Sequence, residues 1–149
     1  IHYIYGHKPI ILTTMAYKII DVEGIGPAYA EKLIAAGIST AEELLEKCAA
    51  PKGRKELAEA TGIPEKLVLK WTNHADMYRI RGIGPQFAEL LEASGVDTVK
   101  ELSHRVAANL AAKVAEVNAE KKLVGRVPVE SEIQKMIDEA KTLPGVITY

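Results

Sequence analysis

The sequence predicts an all-helical protein of two similar tandem units, flanked by short extended ends. Three observations predict it. Ala, Leu, Glu and Lys are plentiful while aromatics make up only 5%, and those abundant side chains lose little freedom on a helix. Residues 22–33 (VEGIGPAYAEKL) return as residues 80–91 (IRGIGPQFAELL), so that Gly24 pairs with Gly82 at an offset of 58. Both copies carry the same residues at the places where helices start and stop.

The repeat extends beyond its best-matched stretch. Upstream, Ile19 and Val22 pair with Met77 and Ile80. Downstream, Gly37, Ile38, Thr40, Glu43 and Leu44 pair with Gly95, Val96, Thr98, Glu101 and Leu102. The boundaries this implies are 15–76 for the first unit and 77–143 for the second, meeting near Asp76.

Each element has a local cause. Gly24 and Gly26 flank Ile25 and permit a tight turn. Pro27 then opens a helix over 27–36, because proline suits the first helical position. Tyr29, Ala30, Leu33 and Ile34 recur at helical spacing on its core face. Gly37 closes it. Thr40 opens the next helix, with Glu43 three residues on in a capping-box pattern that Thr98 and Glu101 repeat. Residues 55–60 read as a short helix, 61–64 as a turn and 65–75 as a helix, with Trp71 continuing the apolar face of Leu67 and Val68. In the second unit 111–123 is a helix, 125–128 a turn and 129–142 a helix. Each unit thus carries one complete Gly-Ile-Gly-Pro turn and one degenerate turn.

The ends break the pattern. Residues 1–14 are rich in β-branched and aromatic side chains and read as an extended arm. Residues 144–149 read as an extended tail. Met15 is a natural start, which makes the arm a leader remnant or sequence added to the native chain. If native, the arm from Ile1 to Leu12 is expected to pair with a second copy, giving a homo-oligomer or an open polymer.

Composition narrows the function. With 48% hydrophobic and 26% charged residues the chain is a globular protein rather than a disordered tail. Its net charge of −1 excludes holding DNA by bulk charge alone. The single cysteine, Cys48, cannot form an intrachain disulfide and reads as a small buried apolar residue. His2, His7, His74 and His104 have no zinc-ligand spacing, and Asp76, Glu116 and Glu120 form no metal-holding cluster. No apolar run approaches the ~20 residues of a membrane span. There is no nucleophile–base pair, and the Gly-x-Gly pairs lack the βαβ setting of a nucleotide loop. No enzyme, cofactor or metal is expected. The basic run from Lys52 to Lys55 reads as a solvated helix start.

The turns carry a family resemblance. Val22, Gly24, Ile25, Gly26, Ala30 and Leu33, with Ile80, Gly82, Ile83, Gly84, Ala88 and Leu91, resemble the helix-hairpin-helix superfamily: an apolar residue, Gly-apolar-Gly, then Ala and Leu on the following helix. The likeness covers residues 15–143 in outline, and the ordering is similar to small stand-alone tandem helix-hairpin-helix proteins. In ligases, polymerases, nucleases and recombination proteins such hairpins supply DNA contact rather than chemistry. The resemblance therefore implies a non-enzymatic accessory or architectural protein that grips DNA backbone without reading sequence. Its contacts would be Gly24, Ile25, Gly26, Gly82, Ile83 and Gly84, the isoleucines acting as core anchors. Lys18, Lys32, Arg79 and Arg81 stand near enough to help. Ala28 and Gln86 occupy places where many DNA-binding hairpins carry Lys, Arg or Thr. Glu23 before the first turn repels phosphate and Arg81 before the second attracts it, so the second turn is the stronger candidate. The alternative is a structural or protein-interaction module that self-assembles through its terminal arms. A cytoplasmic location is expected, or an extracellular one if the non-Met start reflects leader processing.

Overall fold

A computed structural model describes residues 17–149, which form a short 3-10 turn, Ile19–Asp21, and eight α-helices. The helices are α1 (Pro27–Ala35), α2 (Ala41–Cys48), α3 (Pro51–Thr61), α4 (Glu65–Met77), α5 (Pro85–Ala93), α6 (Val99–Ser103), α7 (Ala107–Lys121) and α8 (Glu130–Thr142). The fold is all-α. The described residues contain no strand longer than the isolated bridge between Lys18 and Thr40. None of their helices is long and apolar enough to cross a membrane.

The expected helix signals operate. Pro27 and Pro85 start α1 and α5. Past the end of α1, Gly37 takes a φ of 93°, and the Ile38 N–H reaches back to the Leu33 carbonyl at 2.9 Å. At α2 the Thr40 hydroxyl accepts the Glu43 N–H at 3.1 Å, and the Glu43 carboxylate accepts the Thr40 N–H at 3.1 Å. At α6 only half the device forms. Thr98 accepts the Glu101 N–H, while the Glu101 carboxylate takes the Arg105 guanidinium at 2.8 Å.

Two starts lie earlier than expected. Helix α3 begins at Pro51, another proline in the first turn, and α7 at Ala107. On α1, Ala30 and Leu33 are buried, but Ile34 is 53% exposed and faces away from the core.

One continuous apolar core runs through both halves of the chain. Helices α2 and α3 pack on α4, α4 touches α5, and α8 packs on α6 and α7. The expected junction near Asp76 lies in the middle of this core: every residue from Trp71 to Ile80 is buried. Cys48 is buried as expected, and burial pushes its thiol up to about 11.

The basic run starts α3 with Lys52 and Lys55 exposed as expected, but Arg54 departs from it. Arg54 is 4% exposed, and its guanidinium donates to the carbonyls of Cys48 at 3.0 Å, Ala49 at 3.1 Å and Thr148 at 2.8 Å. It thereby closes the C-terminal end of α2, where unpaired carbonyls gather, and holds the tail. The tail is extended as expected and packs on its own chain: the Thr148 N–H meets the Ala49 carbonyl at 2.8 Å, and Val146 and Ile147 lean on the core. The N-terminal arm of residues 1–14, with His2, His7 and Met15, lies outside the described residues.

Candidate nucleic-acid interface

The two Gly-Ile-Gly turns share one backbone path. Gly24 and Gly82 both have φ +92°, a left-handed conformation that only glycine adopts without strain. The amides of Ile25 and Ile83 bond back to the carbonyls of Val22 and Ile80 at 3.0 and 3.1 Å. Both isoleucine side chains are buried, so they anchor the turns and cannot meet a ligand. Trp71 and Met136, each the seventh residue of its helix, pack against the first glycine of each turn. A Cβ on Gly24 would stand 3.4 Å from the Trp71 indole nitrogen, and one on Gly82 would stand 3.3 Å from the Met136 methyl.

The second glycines differ. Gly26 caps α1 with φ −84° and ψ 178°, ordinary extended backbone, and a Cβ there would meet none of the described residues within 4 Å. Gly84 caps α5 with a similarly extended backbone, but the Tyr17 hydroxyl would lie 3.2 Å from its Cβ. Neither glycine supplies a side-chain acceptor to its helix, so the first-turn amides gain no cap from that position.

The basic residues fall into three settings. Arg79 points inward. It donates to Asp76 at 2.7 Å and to the Pro144 carbonyl at 2.8 Å, and the other Asp76 oxygen accepts the Val99 N–H at 2.8 Å. Burial raises the Asp76 carboxyl, and these two donors hold that rise back. Arg79 therefore ties α4, α6 and the tail together and is withdrawn from any phosphate. Arg81 is exposed, its backbone N–H donates to the Glu139 carboxylate at 3.2 Å, and it shares a cleft with Glu132, Lys135 and Glu139 of α8. Lys18 and Lys32 are exposed; Lys32 sits in the last turn of α1, about 7.5 Å along the axis from Pro27.

Among the described residues, the turn that the sequence ranks first is therefore the more covered at its second glycine. Tyr17 lies over Gly84 with no counterpart at Gly26, and Glu132, Lys135 and Glu139 of α8 stand beside Arg81. Gly24 and Gly82 are both exposed, and Gly26 and Gly84 both half-buried. Among the described residues the first turn is the more open only at Pro27, which is exposed where Pro85 is half-buried, and in having no Tyr17 beside its second glycine. Sequence reasoning missed the Asp76–Arg79 lock, although opposite charges three residues apart within an apolar stretch signal it. At the α4–α5 contact His74 meets Glu92 at 3.0 Å, with Lys70 at 3.5 Å. Burial would raise the Glu92 carboxyl, but His74 and Lys70 outweigh it and hold it below its usual value. Among the described residues no three His, Cys, Asp or Glu gather to hold a metal.

Residues 23–143 match the family model described as Domain of unknown function (DUF4332). No curated protein and no solved structure matches the chain.

Proposed function

The chain belongs to the DUF4332 family, and we propose that it binds nucleic-acid backbone, weakly and without sequence preference, through a helix-hairpin-helix turn at Gly24, Ile25 and Gly26. Gly26 carries the reading. Neither backbone conformation nor packing among the described residues demands glycine there. What glycine provides at an open helix N-terminus is room for an outside group to approach the amides of Ala28 and Tyr29. An anion is the natural visitor, because those amides carry the positive end of the helix dipole. The second turn is the poorer site, because the Tyr17 hydroxyl stands over Gly84. Glu23 and the net charge of −1 keep the contact weak. Assembly through the two ends draws no support from the tail, which already packs on its own chain.

Gly26→Ser tests the site because its two effects have opposite signs. Serine is a better N-cap, so stability should hold or rise by a few tenths of a kcal/mol. Its side chain also takes an amide that a phosphate would take, so affinity for a duplex should fall roughly tenfold. Fluorescence anisotropy gives the affinity and thermal melting gives the stability. Unchanged affinity in the folded variant rejects the site.

A further inference from the structure

The tail is gripped by its backbone. Buried Arg79 donates to the Pro144 carbonyl and buried Arg54 to the Thr148 carbonyl, both at 2.8 Å. The Ala49 carbonyl accepts the Thr148 N–H, also at 2.8 Å. Each of these contacts uses a main-chain atom of the tail, so the grip reads extended chain rather than particular side chains. Between the two arginines, Val146 and Ile147 pack against the core. The guanidinia are held in place from the inner side, Arg79 by Asp76 and Arg54 by the carbonyls of Cys48 and Ala49. Their outward donors are therefore set before any peptide arrives.

The tail itself lies shallow. Val146 and Ile147 are only half-buried, and Pro144, Gly145, Thr148 and Tyr149 are exposed. A segment with such anchors opens well before the core does. The latch is also foreign to the repeat. At the offset of 58, Asp76 and Arg79 stand where the first copy has Lys18 and Asp21, yet the two Gly-Ile-Gly turns follow the same path.

We propose that the surface under the tail is a peptide-binding groove, filled in cis by residues 144–149, and that an extended segment of a partner protein enters it by displacing the tail. The tail defines the chemistry of that segment: uncharged, extended, with two adjacent β-branched residues in the places of Val146 and Ile147 and a main-chain carbonyl on either side for the two arginines. The tethered tail competes at an effective concentration on the order of millimolar, so the groove admits only a tight or locally concentrated segment. A second copy's tail makes the same contacts without the tether and loses to the one in place, which leaves a different protein as the occupant. None of the residues that hold the tail belongs to the turn at Gly26, so this inference stands without the nucleic-acid reading.

A fluorescein-labelled peptide of residues 142–149 is the probe, and the full chain is used throughout. Val146→Asp with Ile147→Asp loosens the tail and empties the groove. Anisotropy should show saturable binding of the peptide to this double variant, and binding weaker by about tenfold or more to the native chain, whose own tail competes. A peptide carrying the same two aspartates should bind neither. In the native chain, hydrogen exchange at the Thr148 amide should outrun that of buried Leu45 by about a hundredfold or more, a measurement that needs no variant. Absence of peptide binding to the folded double variant, equal binding of the aspartate peptide, or Thr148 exchange as slow as that of Leu45 would overturn the proposal. A native chain that light scattering shows to be a dimer, reduced to a monomer by the double change, would overturn it too, because the occupant would then be a second copy's tail.

Discussion

Gly53→Ala is expected to cost more than about 4 kcal/mol, at the upper end of what single substitutions do. Helix propensity alone gives the opposite sign, since alanine is favoured over glycine by roughly 1 kcal/mol in a helix interior. Packing decides the matter. A Cβ at residue 53 would overlap the Lys47 carbonyl oxygen and come within 2.9 Å of its carbon. Both atoms are backbone at the end of α2, so no side chain can swing aside. Relief requires α3 to back away from α2, which strips the Cys48 and Ala49 carbonyls of Arg54 and loosens the tail at Thr148. Urea denaturation followed by circular dichroism measures the loss. A variant as stable as the parent would mean that α2 and α3 do not approach so closely.

The second large effect lies at the buried pair of Asp76 and Arg79. Asp76→Ala should destabilise by about 3–5 kcal/mol, because it leaves a buried guanidinium without its anion. It also orphans the Val99 N–H at the start of α6. Arg79→Met should cost a similar amount through the uncompensated carboxylate and the lost bond to Pro144. The double change Asp76→Leu with Arg79→Met should cost less than the two single changes added together, since apolar replacements remove both charges at once. Strictly additive losses would mean that the pair is not coupled.

These effects mark where sequence reading reaches its limit. Helix starts and stops were legible because their causes are local. Pro27, Pro85, Thr40, Thr98, Gly37 and Gly62 act within a few residues of themselves. The repeat was legible for the same reason. Burial of individual side chains was not, because it depends on what docks from far along the chain. Arg54 looked like part of a solvated basic run, yet it is enclosed by a tail 94 residues away. Arg79 looked like a helper for phosphate, yet Asp76 and Pro144 draw it inward. Ile34 looked like core, yet none of the described helices covers it.

The candidate site followed the same rule. The repeat located both turns and the isoleucine anchors. It could not rank them, because the copies are alike where they are read and differ in what covers them. Trp71 and Met136 take corresponding places beneath the turns, whereas only Gly84 has a Tyr17 over it. Among the described residues, position in space rather than local charge makes the first turn the more accessible one, despite Glu23.

A salt titration of binding to duplex DNA addresses the central claim most directly. One open turn holds one or two phosphates, so the logarithm of the binding constant should fall against the logarithm of salt concentration with a slope of roughly −1 to −2. Unrelated duplex sequences should give the same slope and the same affinity. No binding at low salt, or strong dependence on sequence, would contradict a backbone contact at Gly26.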